Sequence, residues 1–202
     1  SSMDGSGIGG ITVLSSGMVE TSTGTIKGTG TTFRGIENQG TITATNGTVS
    51  GISTSNAGIS SSGTLTAKTM TGNHTSASGS NSSDSCGFAV IGGTTTVTET
   101  MSGSGYCGIM VGDNGKLETS TGTITGTGYG LSGVHNKGTI IATNGTVSGT
   151  SSNSSGVLSI ATLTADKIIG NHTGTVVSGT TNDFGVSISG GTTTVGSSMD
   201  GS

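Results

Sequence analysis

The sequence predicts an all-β protein: a three-sided parallel β-helix, or β-solenoid, of about eight coils averaging about 24.5 residues. Three observations predict it. Gly, Thr and Ser supply 115 of the 202 residues, while Pro and Trp are absent. The chain repeats itself at an offset of 98 residues with no insertion. Within each repeat, aliphatic residues recur in three rows at the spacing of one coil.

Composition removes several classes of protein. Gly costs about 1 kcal/mol per helical position relative to Ala, and β-branched Thr is also a poor helix former, so long helices are disfavoured. No run approaches the roughly 20 apolar residues of a membrane-spanning helix. Charged residues are 8% of the chain, six Lys+Arg against ten Asp+Glu, with Arg34 the single arginine. That leaves no basic patch for a phosphate backbone, so nucleic acid is not an expected partner, nor is membrane insertion.

The repeat is legible by eye. Glu20-Thr-Ser-Thr-Gly-Thr-Ile26 recurs as Glu118-Thr-Ser-Thr-Gly-Thr-Ile124, and Gly72-Asn-His-Thr75 as Gly170-Asn-His-Thr173. A longer identity links Ser1-Ser-Met-Asp-Gly-Ser6 to Ser197-Ser-Met-Asp-Gly-Ser202, 196 residues on. The domain reading is one continuous solenoid over 1–202: repeat A 1–98, repeat B 99–196, and 197–202 as the opening of another tile. A tandem array, or copies docked head to tail, is the expected context.

Each coil opens on a glycine (Gly10, Gly35, Gly58, Gly87, Gly108, Gly133, Gly156, Gly185). The first strand follows at once and contributes Ile11, Ile36, Ile59, Phe88, Ile109, Val134, Val157 and Val186 to the core. The second contributes Val19, Ile42, Leu65, Leu117, Ile140 and Leu163, with Thr in the fourth coil of each half. The third is assigned Ile26, Val49, Met70, Val97, Ile124, Val147, Ile168 and Val195. Stretches such as Thr41-Ile42-Thr43-Ala44-Thr45 alternate with period two, which turns Ile42 and Ala44 inward and the hydroxyls outward. Asn-Gly, Ser-Gly and Gly-Thr-Gly segments between strands read as turns where Gly or Asn supplies positive φ. Absence of Pro suits strands that need every N–H for a ladder.

The coil Gly35-Ile-Glu-Asn-Gln-Gly-Thr-Ile-Thr-Ala-Thr-Asn-Gly-Thr-Val-Ser-Gly51 resembles the repeat of right-handed parallel β-helices in autotransporter passengers and polymorphic outer-membrane adhesins. The resemblance implies a right-handed coil and a secreted or surface-displayed stalk or adhesin. It brings no particular ligand with it.

Candidate chemistry is sparse. Cys86 and Cys107 each precede the opening glycine of successive coils, so they are expected one above the other about 5 Å apart, within disulfide range. They read either as a staple between coils or as two stacked thiols. His74 and His172 are repeat equivalents four coils apart and cannot share a metal, and with His135 they are expected at the surface. Acids are scattered rather than paired, so no catalytic residue, cofactor or metal site is assigned and no enzyme activity is expected. Asp113-Asn-Gly115 reads as a turn.

A mechanical role follows as the expectation: an extracellular stalk, fibre or surface filament whose partner is chiefly itself, head to tail and laterally. A surface adhesin for host or polysaccharide ligands is the alternative. Outward Thr41, Thr43, Thr64, Thr66, Thr139, Thr162 and Thr164 raise a third, an ice-binding face, interrupted by Glu20, Glu118, Lys116 and Ile141.

Overall fold

The computed structural model describes residues 1–76, 78–80, 82–174 and 184–202. Strands occupy 64% of the described residues, and the one helical segment among them is a 3-10 turn at Ser83–Ser85. Every strand pairing is parallel, within one sheet of eleven strands and another of eight. The chain therefore winds as a β-solenoid.

Three faces enclose the core. The first carries short strands such as Ile36–Asn38 and Ile59–Ser61. The second and third are the two halves of long strands such as Thr41–Ser53 and Thr64–His74. Eight rungs stack on the first face, enclosing about seven full turns between them; the expected eight coils are these eight rungs.

Three separate strands per coil were expected, and most coils instead carry one strand through the corner between the second and third faces. The chain breaks there only in the first and fifth coils, at Met18–Thr21/Thr25–Gly30 and Lys116–Thr119/Thr123–Gly128. The hydroxyl of Thr21 accepts from the Gly24 N–H at 3.0 Å, and that of Thr119 from Gly122 at 2.8 Å. These side-chain turns compete with the ladder for the backbone donors. Ala44 and Ala142 occupy the same rung position in neighbouring coils and have no hydroxyl to do so.

The first two apolar rows form as the sequence implies. Ile11 stacks on Ile36, and the column continues unbroken through Phe88 and Ile109 to Val186. Val19, Ile42, Leu65, Leu117, Ile140 and Leu163 form the second, with Thr95 and Thr193 in the fourth and eighth positions. The third row corrects the sequence reading. Val97 pairs with Ala67 and Val195 with Ala165, in a separate column of small residues. Their expected places are taken by Met101, between Met70 and Ile124, and by Met199 above Ile168; Met3 starts the same column below Ile26.

Corner length causes the difference. Between the second and third faces the unpaired residues are 22–24, 45–47, 68 and 98–99 in the first four coils. The next four coils repeat this pattern with 120–122, 143–145, 166 and 196–197. A corner of one, two or three residues changes which later residue turns inward.

Glycine serves close approach more than backbone freedom. Among the described residues positive φ occurs only at Gly7, Gly93 and Gly191, and at no other residue type. The Gly column from Gly5 through Gly51 to Gly201 lies where the third face meets the first. A Cβ on Gly51 would stand 2.2 Å from the Gly58 carbonyl oxygen, so no side chain fits. The expectation that turn glycines mostly supply positive φ is corrected accordingly.

Candidate functional surfaces

Among the described residues no three His, Cys, Asp or Glu side chains gather as a metal site. The acids that lie near bases are paired with them. Arg34 bridges Glu37 at 2.8 Å and Asp84 at 2.7 Å, Lys68 meets Glu99 at 3.1 Å, and Lys116 meets Glu118 at 2.6 Å.

Cys86 and Cys107 are adjacent rung partners, both fully buried, and both are free thiols. Burial, with a hydrogen bond to Cys107, pushes the Cys86 thiol well above its ordinary range. The structure thus holds the two thiols stacked on adjacent rungs.

One of the three histidines, His74, departs from the surface expectation. His74 is 4% exposed, with Nδ1 2.8 Å from the Asn56 carbonyl oxygen. His172 repeats the contact with Ser154 at 2.9 Å. Each ring pins the corner of its own coil to the preceding one. His135 lies half-buried in an outward column between Met110 and Leu158. Burial, then the nearby Lys137 charge, lowers its pKa to about 4. The second ring nitrogen of His74 faces the Ser78 carbonyl oxygen at 3.4 Å, and the Tyr129 hydroxyl donates to the backbone carbonyl oxygens of His74 and Ser76.

The outward threonines form ordered columns. On the second face Thr41, Thr64 and Thr94 stack beside Thr43, Thr66 and Thr96. The Lys116–Glu118 ion pair then interrupts, Thr139 stands beside Ile141 and Thr162 beside Thr164.

The third face carries a longer array that the sequence reading missed. Thr25, Thr48, Thr69, Thr100, Thr123 and Thr146 form an unbroken column of threonines. Beside it run Ser50, Thr71, Ser102, Thr125 and Ser148. In the flanking positions Asp4 and Lys27 stand at one end of these columns and Lys167 and Asp200 at the other, and the Lys68–Glu99 ion pair lies at the corner just before Thr69 and Thr100. Rungs are about 4.8 Å apart, and outward neighbours along a strand about 6.6 Å. The signal for this array was the ladder register, which depends on the corner lengths.

Two shallow grooves mark the corner between the second and third faces. One of about 300 Å³ is lined by Glu118, Thr119, Ser120 and Ile141 among others, and one of about 410 Å³ by Glu20, Thr21, Ser22 and Thr43. They are repeat equivalents.

The terminal rungs share one sequence. Met3–Gly7 pairs with Thr25–Gly30, placing Met3 on Ile26 and Asp4 beside Lys27. The last strand, Thr193–Gly201, places Met199 on Ile168 and Asp200 beside Ile169. Ile11, Val19, Val186 and Val195, the end members of their columns, are only partly buried. No family model, curated protein or solved structure matches this chain.

Proposed function

We propose that this chain is a structural repeat protein, a rod that continues head to tail with further copies of its own coil to build a stalk, fibre or surface filament outside the cell. One observation carries the reading: the same hexapeptide occupies the first and last positions of the third-face ladder, over Ile26 and over Ile168. Low charge suits close lateral packing of such rods. Electron microscopy with sedimentation of the purified chain tests this: ordered filaments of rod width support it. Rods that stay single at every concentration and adhere to glycan surfaces favour the adhesin reading, for which the two repeated grooves are the best-shaped places.

The six-threonine column favours a second reading, in which the third face orders water and binds ice. Regular hydroxyls and methyls, free of charge over five rungs, would hold a water layer in fixed positions. Thermal hysteresis abolished by Thr125→Lys, with unchanged unfolding, supports it; ice growth identical to that in a matched control protein excludes it.

A further inference from the structure

Cys86 and Cys107 stand where the repeat has Phe184 and Gly9, so neither coil needs a cysteine there in order to form. The two are partners on adjacent parallel rungs, in the same register as Phe88 and Ile109. Both are fully buried, in a small cluster of their own with Ala89, Met110 and Leu131, apart from the main core. The Ser82 carbonyl oxygen, just ahead of the 3-10 turn, lies 3.7 Å from the Cys86 Sγ and covers it.

Register decides how far apart the two side chains start. Parallel strands in register keep the two Cα–Cβ bonds parallel, so the Cβ atoms inherit the rung spacing of about 4.8 Å. A disulfide draws its Cβ atoms to about 3.5–4.5 Å, closer than the undistorted ladder holds them. Two metal–sulfur bonds of about 2.3 Å laid end to end span about 4.6 Å, close to the rung spacing. A cation midway between the rungs then meets each sulfur near a right angle to its C–S bond, along a lone pair.

We propose that Cys86 and Cys107 together bind one soft monovalent cation, of the copper(I) class, in two-coordinate fashion between their rungs. Thiolates select such cations, whereas zinc takes four ligands and hard cations take oxygen. The pair has no third His, Cys, Asp or Glu beside it among the described residues, and a linear site asks for none. Met110, 6% exposed, lends the cluster a polarisable thioether wall that keeps water out. In binding, two S–H bonds break, two protons pass to solvent, two sulfur–metal bonds form, and no electron is transferred. Burial, then the neighbouring Cys107, holds the Cys86 thiol protonated, and the Lys137 charge works the other way. That positive charge also offsets the single negative charge that two thiolates and one monovalent cation leave.

Silver(I), a closed-shell ion of the same charge that air does not oxidise, tests this on the full chain. Reduced protein is loaded with one equivalent of silver(I), exposed to excess 2-mercaptoethanol and desalted, and the silver per chain is measured. Two thiolates fixed on one frame act at an effective concentration that a pool of monothiol does not match. Retention of one silver by the wild-type chain is therefore expected, with loss from the Cys86→Ala and Cys107→Ala chains. Urea unfolding shows that these variants are folded. X-ray absorption of the silver-loaded wild-type chain reads the site with no substitution at all, and two sulfur neighbours are expected. Silver stripped from the wild-type chain, silver kept equally by either variant, or a metal shell with fewer than two sulfurs each overturns the proposal.

Discussion

Asn38 lies directly beneath Ser61 inside the coil, and its Nδ2 donates to the Ser61 hydroxyl at 3.1 Å and to the Thr64 carbonyl at 2.9 Å. Asn136 repeats both bonds, to Ser159 at 3.0 Å and Thr162 at 2.8 Å. The amide ties the first face of one coil to the start of the second face in the next, in a place sealed from water. Asn38→Ala removes the donor from the buried Ser61 hydroxyl and the part-buried Thr64 carbonyl and is expected to cost about 1–3 kcal/mol. Urea unfolding measures it. The Asn136→Ala change, four coils away, also removes the acceptor of the Gly138 N–H (3.2 Å to Asn136 Oδ1), whereas Asn38 Oδ1 is buried without a partner, so it should cost more than Asn38→Ala, and the double variant should add the two.

Thr95 is the inverse case. It sits in an aliphatic column between Leu65 and Leu117, is fully buried, and its hydroxyl has no partner. Thr95→Val keeps the shape and removes the unpaired group. A stability gain of about 1 kcal/mol in urea is expected; a loss would show that the hydroxyl is satisfied.

Gly51→Ala and Gly92→Ala should separate cleanly. The new Cβ at 51 meets the Gly58 oxygen at 2.2 Å, whereas at 92 its nearest neighbour is 3.5 Å away. The first substitution forces backbone apart and should cost more than about 2 kcal/mol; the second should stay within about 0.5 kcal/mol. Thermal melting of the two variants decides.

His135 gives the rod an acid-sensitive point. Its pKa falls from the ordinary 6.5 to about 4 on folding, so in the window between those values the unfolded chain binds a proton that the folded chain refuses. Stability contributed by the neutral ring is present above pH 6.5 and is lost as the pH falls toward 4. The loss is at most about 3 kcal/mol, and less where the ring keeps contact with solvent. His135→Gln should flatten the dependence of the urea midpoint across that window.

The two thiols predict slow chemistry. With the Cys86 thiol pushed up by burial, alkylation of the folded protein should be slow at neutral pH and accelerate in alkali, and unfolding should expose both groups. Mass spectrometry after alkylation without reductant reads this directly. If oxidant does join them, the closed loop is short and the gain about 3 kcal/mol; Cys86→Ser then loses that gain under oxidising conditions only.

Local alternation made two columns of the core legible. Each of Ile36, Ile42 and their equivalents follows its opening glycine or its turn at a nearly constant distance, and β-branched residues mark the inward positions. Row three failed at Val97 and Val195 because both they and the methionines four residues on are apolar, and only the number of corner residues tells which pairs with Met70 or Ile168. The same uncertainty hid the third-face threonines. His74 was illegible for another reason: its ring is held by the Asn56 carbonyl, 18 residues away in the preceding coil, and that contact depends on how the coils stack. The paired ends were the opposite case, since an identical hexapeptide needs no register to be seen.

The unequal corners also give the rod a ruler. A uniform solenoid slid along its axis by one coil would find every side chain matched again. Here, sliding by one, two or three coils sets a long bend where a short one belongs, and the pattern returns only after the fourth, about 19 Å on. Misaligned unions between neighbours therefore carry a mechanical mismatch at three or all four corners of each repeat, and the molecule counts in fours.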